Sequence, residues 1–92
     1  MYRESRVEDD LVQGVRGLGG LCYKFAPVTA GLPDRLVVLP GGRIYLVELK
    51  RPRGSTRAVQ KVVHRKFLER GVEVLMLSSR QEVAQWLQEV GR

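Results

Sequence analysis

Two apolar stretches on either side of Pro40-Gly41-Gly42 constrain the fold more than any other feature of this chain. They cover residues 34–39 and 43–50, and both are rich in the branched and aromatic side chains that favour β-strands. Proline followed by two glycines is typical of a turn, because glycine readily adopts the positive φ angles of a tight reversal. The sequence therefore predicts an antiparallel β-hairpin.

A three-residue turn also predicts which hairpin residues face each other. With Leu39 opposite Arg43, counting back along both strands brings Asp34 opposite Glu48. Opposed side chains of an antiparallel pair have Cβ atoms about 4.5–5.5 Å apart. Two carboxylates at that distance repel each other, and a divalent cation between them would remove the repulsion. Because Mg2+ takes oxygen ligands and often uses only one or two carboxylates, this spacing indicates a metal site.

Lys50 follows Glu48 by two residues, so strand alternation predicts that both side chains point to the same side of the sheet. An ammonium group there could orient an attacking water or stabilise charge that develops on a phosphate. An ordinary Glu48–Lys50 ion pair at a strand end, with Asp34 as a turn residue after Pro33, would explain the same spacing. Spacing alone leaves both interpretations open.

The remaining hydrophobic pattern predicts the elements around the hairpin. In order they are a helix over 5–18, strands over 21–25, 34–39 and 43–50, a helix from an N-cap at Ser55 to about Arg70, a strand over 72–77, and a last helix capped by Ser79. A loop over 27–31 and a break at 51–54 separate some of them. The prediction is one α/β domain over residues 1–92, with a mixed β-sheet flanked by helices in the order α-β-β-β-α-β-α.

Composition limits the binding partners and the cellular compartment that we expect for the protein. Sixteen Lys and Arg against ten Asp and Glu give a net charge of +6, which favours a polyanionic partner such as nucleic acid. The single cysteine, Cys22, excludes an intramolecular disulfide framework and a cysteine-rich zinc site, and we expect it in the core. No stretch approaches the roughly 20 apolar residues of a membrane helix, and no signal-peptide pattern is visible. The expectation is a cytoplasmic protein with no membrane partner.

Glu8 lies inside the apolar arc of the first predicted helix, between Leu11 and Val15. A carboxylate aimed at the core could serve as a further metal ligand. The stretch from Ser5 to Glu8 also matches a capping box, in which the Glu8 side chain would bond back to the Ser5 amide. The helix alone does not separate these two interpretations.

The second predicted helix carries a basic stripe of Arg57, Lys61 and Arg65, spaced four apart. A solvated face and a set of phosphate contacts are both compatible with such a stripe. Gln60 lies at the edge of the apolar arc of this helix. His64, the only histidine, is expected on the exposed basic side and is not predicted to be a metal ligand.

As a set, these motifs resemble the PD-(D/E)XK nuclease superfamily and, more narrowly, the VRR-NUC family of virus-type replication-repair nucleases. The resemblance covers most of the chain, from about Glu8 to Ser79. Pro-Asp followed by Glu-x-Lys is a weak pattern alone, but the glycines and the downstream glutamine make the set specific. The residues that carry it are Gly31-Leu32-Pro33-Asp34-Arg35, Gly41-Gly42, Val47-Glu48-Leu49-Lys50 and Gln60.

The resemblance implies a restriction-endonuclease-like fold and hydrolysis of DNA phosphodiester bonds with Mg2+, for which Mn2+ could substitute. It implies metal ligands at Asp34, Glu48 and the Leu49 carbonyl, a catalytic lysine at Lys50, a motif residue at Gln60 and an acidic residue near the metal at Glu8. Basic residues around these motifs are expected to contact DNA, namely Arg35, Arg51, Arg53, Arg57, Lys61 and Arg65.

Short stand-alone members of this family, from phages and bacteria, resemble Holliday-junction resolvases that act as dimers on four-way junctions. The chain looks like that type, which implies a homodimeric, structure-selective endodeoxyribonuclease in a bacterial or phage-infected cell. The last helix, with Trp86 and Leu87, is a candidate dimer surface, although core packing explains Trp86 equally well. The alternatives are a general or restriction-type nuclease without junction preference and a non-catalytic DNA-binding module. The intact set of Asp34, Glu48 and Lys50 argues against the last.

Overall fold

The computed structural model describes residues 4–26, 29–50 and 57–92. Within them the elements follow the predicted order α-β-β-β-α-β-α, which confirms the α/β prediction. The elements are α1 (Glu4–Gly17), β1 (Leu21–Lys24), β2 (Arg35–Leu39), β3 (Arg43–Leu49), α2 (Ala58–Glu69), β4 (Val74–Leu77) and α3 (Arg80–Val90).

The four strands form one mixed sheet in the order β1-β2-β3-β4. The first three strands are mutually antiparallel, and β4 runs parallel to β3, as the strand–helix–strand unit predicts. The hairpin has the predicted register, with Leu39 opposite Arg43. Gly41 and Gly42 adopt φ angles of 88° and 76°, which side chains with a Cβ rarely tolerate. The two glycines thus allow the tight turn that sets the register of β2 and β3.

One face of the sheet holds the hydrophobic core, because α1 and α3 both pack against it. The odd-numbered residues of β2 and β3 point to this face. Trp86 belongs to the core and packs edge-on against Tyr45, with ring centroids 5.2 Å apart, so core packing is the correct explanation for this tryptophan. The buried residues of this face are Val7, Leu11, Val15, Cys22, Val37, Leu39, Val47, Leu49, Leu77, Val83, Trp86 and Val90.

The other face of the sheet is covered only in part. None of the residues described in α2 is buried, and Ile44 on β3 is 63% exposed. Its neighbour two residues on, Leu46, is buried, and so is Glu48 beyond it. The even-numbered side of β3 therefore changes from open and apolar at one end to buried and charged at the other. Among the described residues, no helix has the length and hydropathy of a membrane span.

Several predicted boundaries differ from the structure by one or two residues, and two of the differences have a clear local cause. The N-cap of α2 is Arg57 and not Ser55, because the Gln60 side chain accepts a hydrogen bond from the Arg57 amide. Helix α1 begins at Glu4, one residue before the predicted start, so the backbone of Ser5 lies within the helix, and the Glu8 carboxylate accepts a hydrogen bond from Arg35. Strand β4 begins at Val74, two residues late, since the Val72 amide still bonds to Phe67 at the end of α2.

The Ser79 cap of α3 is confirmed, with its hydroxyl accepting from the Glu82 amide at 3.1 Å. Cys22 is a buried free thiol, as expected. Ser55 and the predicted break at 51–54 lie outside the described residues.

Candidate active site

Asp34 and Glu48 meet at the open end of the hairpin. The strand pairing ends with Arg35 opposite Val47, and the next step along both strands brings Asp34 level with Glu48. The Asp34 Oδ2 atom accepts a hydrogen bond from the Leu49 amide at 2.7 Å, which holds its carboxylate against the end of β3. Glu48 is only 5% exposed. The two carboxyl groups therefore form a close pair, one of them buried.

Burial is the main reason that the pKa of Glu48 rises to about 7. The negative charge of Asp34 raises it further, whereas a hydrogen bond from Gln60 and the charge of Arg57 lower it. A carboxylate taken out of water beside a like charge favours its protonated form. Without metal, burial and the neighbouring carboxylate thus both favour the protonated form of Glu48.

Gln60 holds one oxygen of Glu48 from α2. Its Nε2 donates to Glu48 Oε2 at 2.7 Å, and its Oε1 accepts from the Arg57 amide at 3.1 Å. Because the backbone amide at the helix N-terminus engages the side-chain oxygen, the nitrogen is left to point at Glu48. A glutamate at position 60 could not donate this bond. The motif residue that the family resemblance implied therefore contacts a predicted ligand directly.

His64 lies one turn after Gln60 and faces the same carboxylate. Its Nε2 is 3.7 Å from Glu48 Oε1, and the His64 side chain is only 15% exposed. The prediction that His64 sits on the exposed basic side is wrong, because α2 turns positions 60 and 64 toward the sheet. Desolvation holds the pKa of His64 below its usual value, with the charge of Asp34 acting in the opposite direction. The four-residue spacing from Gln60 is the sequence signal that could have revealed this contact.

Gly31 allows α2 to come this close. A Cβ at position 31 would lie 2.7 Å from the Val59 carbonyl oxygen and 2.8 Å from the Val63 side chain. The φ angle of Gly31 is also positive, at 89°. The glycine of the Gly31-Leu32-Pro33-Asp34 stretch is therefore a packing requirement: it brings the helix with Gln60 and His64 over Glu48.

Glu8 is held by Arg35. The Arg35 Nε donates to Glu8 Oε2 at 2.9 Å, and another guanidinium nitrogen donates to the Cys22 carbonyl at 3.2 Å. Both side chains are largely buried. The structure thus does not bring Glu8 to Asp34 and Glu48, and a ligand role for it would require this ion pair to open. Arg35, predicted to contact DNA, is likewise occupied within the protein.

Lys50 lies just beyond the end of β3, where its amide donates to the Leu77 carbonyl at 2.9 Å. Hydrogen bonds from Ser78 lower the pKa of Glu82 on α3, and the charge of Lys50 adds a smaller lowering. The Lys50 ammonium is therefore within electrostatic range of Glu82. The cation that lowers the pKa of Glu48 is Arg57, at the N-terminus of α2.

The basic stripe of α2 is exposed along its length. Arg57 lies at the N-terminus of the helix, close enough to Glu48 to act on its pKa, and Lys61 and Arg65 follow at successive turns. Arg51 and Arg53, also predicted to contact DNA, lie outside the described residues. A row of exposed cations thus begins at the carboxylate pair and runs away from it.

The carboxylate pair fits a divalent cation, although the described residues contain no ready-made group of three His, Cys, Asp or Glu ligands. The Glu48 Oε1 atom is buried, and no donor among the described residues hydrogen-bonds to it. A buried carboxylate oxygen left in this condition is costly unless a cation or proton satisfies it. Hard cations that keep several waters need only such a partial set of oxygen ligands.

Comparisons with known proteins bear on the family and the fold of the chain. No family model matches the chain. It is 41% identical over 80 residues, covering 86% of each chain, to a protein named "Putative nuclease p44" from Acyrthosiphon pisum secondary endosymbiont phage 1. A solved structure described as "VRR_NUC domain" matches with a TM-score of 0.85 and 31% identity, over 96% of this chain and 97% of that one.

The mixed sheet with its flanking helices is therefore a nuclease fold of the restriction-endonuclease-like class. Within that class, the chain belongs to the VRR-NUC family of nucleases.

Proposed function

We propose that residues 1–92 form a single nuclease domain that hydrolyses phosphodiester bonds of DNA with Mg2+ or Mn2+. The observation that carries this proposal is the Glu48 carboxyl, which is buried beside Asp34. The pKa of Glu48 rises to about 7 because the site disfavours two negative charges. Such an arrangement destabilises the fold while both groups are charged and no cation is bound. It is useful once a cation neutralises both carboxylates.

Asp34 and Glu48 would supply the oxygen ligands, with the Leu49 carbonyl as a further one. A bound divalent cation would polarise the phosphoryl oxygen and lower the pKa of a coordinated water. Two contacts hold the ligands in place, namely the Leu49 amide on Asp34 at 2.7 Å and Gln60 on Glu48 at 2.7 Å. Positioning of this kind removes reorganisation cost at the moment of reaction.

Lys50 and Glu8 have proposed roles that require movement on binding. Lys50 would leave the neighbourhood of Glu82 and place its ammonium near the scissile phosphate. Glu8 would approach the metal only if its ion pair with Arg35 opened. The same opening would free Arg35 for a phosphate. Both steps are supported by the resemblance to the nuclease motif.

The exposed row of Arg57, Lys61 and Arg65 would guide the DNA backbone to the carboxylate pair. Positive side chains that neutralise phosphates release counterions, so such binding weakens as salt increases. Arg51 and Arg53 precede this row in the sequence and would extend it. The net charge of +6 favours the same partner.

We further propose that the protein is a homodimer that acts on branched DNA, with the four-way junction as preferred substrate. A junction has two-fold symmetry, which a symmetric dimer matches with two active sites. The small core, built on one face of the sheet, supports association. Trp86 is buried and is not available for a dimer contact, which corrects that part of the sequence prediction.

A cleavage assay tests both levels of the proposal. Purified protein is mixed with labelled linear duplex, single-stranded, flap and four-way-junction DNA, in Mg2+, Mn2+ or EDTA. We expect metal-dependent cleavage with the junction cut fastest. No cleavage of any substrate in either metal would refute the nuclease mechanism. Equal cleavage of linear duplex and junction would refute structure selectivity and leave a general nuclease.

Matched variants locate the site. Asp34→Asn and Glu48→Gln remove one charge each with little change in shape, and we expect both to abolish cleavage while junction binding remains. Asp9→Asn removes an exposed carboxylate from α1 and should leave cleavage unchanged. If all three variants behaved alike, the carboxylate pair would not be the active site. Circular dichroism of each variant checks that the fold is intact.

Sedimentation tests the dimer separately. We expect a mass near twice the 10.4 kDa of one chain at working concentrations. A mass near 10.4 kDa, with symmetric junction cleavage retained, would refute the dimer without affecting the nuclease proposal.

A further inference from the structure

Two buried polar atoms face each other beside the carboxylate pair. Glu48 Oε1 and His64 Nε2 are 3.7 Å apart, and neither has a hydrogen-bond partner among the described residues. Buried polar atoms are usually satisfied, because a donor or acceptor removed from water without a partner is costly. Two of them facing each other indicate that a third group belongs between them.

Neighbouring contacts fix the positions of both Glu48 Oε1 and His64 Nε2. Gln60 Nε2 already occupies the other oxygen of Glu48 at 2.7 Å, which directs Oε1 toward His64. Helix α2 cannot slide away freely, since it packs on Gly31 through Val59 and Val63. The imidazole and the carboxylate oxygen are thus kept near each other without being in contact.

The separation suits two ligands of one cation. Ligand atoms about 2.1 Å from a metal lie about 3.0 Å apart at right angles and about 3.4 Å apart in a tetrahedral arrangement. From 3.7 Å, a closure of about 0.3 Å reaches the tetrahedral spacing and a closure of about 0.7 Å reaches the right-angle spacing. Side-chain rotation at Glu48 or His64 is sufficient for that. A direct hydrogen bond between the two side chains would need a comparable closure, but it would place no cation beside Asp34.

We propose that His64 is a nitrogen ligand of the metal that Asp34 and Glu48 bind. This inference rests on the proposed metal dependence of the nuclease and adds a ligand that the acidic motif does not contain. Imidazole suits Mn2+ and later transition ions better than Mg2+, which prefers oxygen. The site therefore binds Mn2+ more tightly than a site made only of carboxylates, carbonyls and waters.

The chain offers a direct test because His64 is its only histidine. Full-length protein without a histidine tag is loaded with Mn2+, and pulsed electron paramagnetic resonance records nuclear modulation of the Mn2+ signal. We expect modulation from a directly coordinated imidazole nitrogen. Selective labelling of histidine with 15N should change that modulation to the 15N pattern. No variant is needed, so a folding defect cannot confuse the result.

The possible outcomes separate this inference from the proposal beneath it. Mn2+ bound without histidine-nitrogen modulation would overturn the ligand role of His64 and leave the metal-dependent nuclease intact. No Mn2+ binding by the protein would overturn both. In calorimetric titrations with MnCl2 and MgCl2, we expect His64→Gln to weaken Mn2+ binding by about tenfold or more and Mg2+ binding less. Equal weakening of both metals would contradict a nitrogen ligand.

Discussion

The two faces of the sheet are built for different purposes. The face toward α1 and α3 is lined with apolar side chains, many of them fully buried, such as Leu39 at 1% exposure. The face toward α2 buries a glutamate, while Ile44 on the same strand is 63% exposed. Both faces belong to the same strands and differ by one residue of register. The chain thus obtains most of its apolar burial on one face, and the proposed active site lies on the other.

This division explains why the carboxylate pair can exist at all. An uncompensated pair of carboxyl groups, with a pKa of about 7 at Glu48, weakens the metal-free protein. The α1/α3 face supplies the apolar burial that offsets this cost. Substitutions on the face toward α1 and α3 should therefore affect stability. Substitutions at the carboxylate pair, on the face toward α2, should affect metal binding and cleavage.

The largest expected effect comes from comparing Leu39→Ala with Ile44→Ala. Both remove a large apolar side chain from the hairpin, but on opposite faces. We expect Leu39→Ala to lower the free energy of unfolding by about 2–4 kcal/mol, because it leaves a cavity. Ile44→Ala should cost less than about 1 kcal/mol. Urea denaturation measures both, and equal losses would show that the α2 face is also covered in solution.

A smaller effect concerns pH and the metal-free protein. The pKa of Glu48 is raised in the folded state, from 4.5 to about 7. Its stabilising contribution is therefore fully present below about pH 4.5 and is lost as pH rises through about 7. We expect a loss on the order of 1–3 kcal/mol from this group in EDTA.

Denaturation curves between pH 4.5 and 8 measure this loss. In Glu48→Gln, the decrease of the unfolding free energy with rising pH that Glu48 causes should vanish. In Asp9→Asn it should remain. A slope in Glu48→Gln as steep as in the wild type would show that other groups cause it.

Gly31→Ala tests how α2 is held against the site, with Gly41→Ala as control. Both glycines have φ near 89°, but only Gly31 has neighbours that a Cβ would strike. The control carries the backbone strain alone, about 1–2 kcal/mol. We expect Gly31→Ala to cost about 1 kcal/mol more and to slow cleavage about 10–100-fold, as α2 moves away from Glu48. Similar cleavage rates in the two variants would contradict a positioning role for this contact.

The smallest expected effect concerns the basic stripe. Lys61→Ala and Arg65→Ala should each weaken duplex DNA binding modestly. Each should also reduce the slope of log affinity against log salt by about 0.9, if each side chain neutralises one phosphate. Arg16→Ala on α1 removes an exposed cation from another helix and should leave the slope unchanged. Fluorescence anisotropy between 50 and 200 mM salt, roughly the range in which counterion release dominates, measures the slopes.

Local rules predicted the hairpin and the pair of carboxylates well. Turn length determines register, and alternation determines faces, so Asp34 and Glu48 could be brought together from sequence alone. The pairing of Arg35 with Glu8 was not predictable, because it joins positions 27 residues apart across two elements. The N-cap at Arg57 was missed since Gln60 caps through its own side chain, where Ser55 offered the commoner cap residue.

The inward orientation of His64 was missed for a different reason. Apolar residues of α2 such as Val62 are half exposed, so the apolar arc of this helix does not mark its buried side. The contact between α2 and Gly31 determines which side of the helix faces the sheet. A hydrophobic pattern does not reveal a contact between a helix backbone and a glycine.

Thermal unfolding in the presence of divalent cation tests the central claim most directly. At pH 8, the melting temperature of the wild-type protein is measured in EDTA and at increasing Mg2+ or Mn2+, with Glu48→Gln beside it. At a hundredfold excess over Kd the cation should add about 2.7 kcal/mol, a rise of more than about 5 °C. We predict this rise for the wild type and little or none for Glu48→Gln. A wild-type melting temperature that is the same in EDTA, Mg2+ and Mn2+ would contradict a metal site at Asp34 and Glu48.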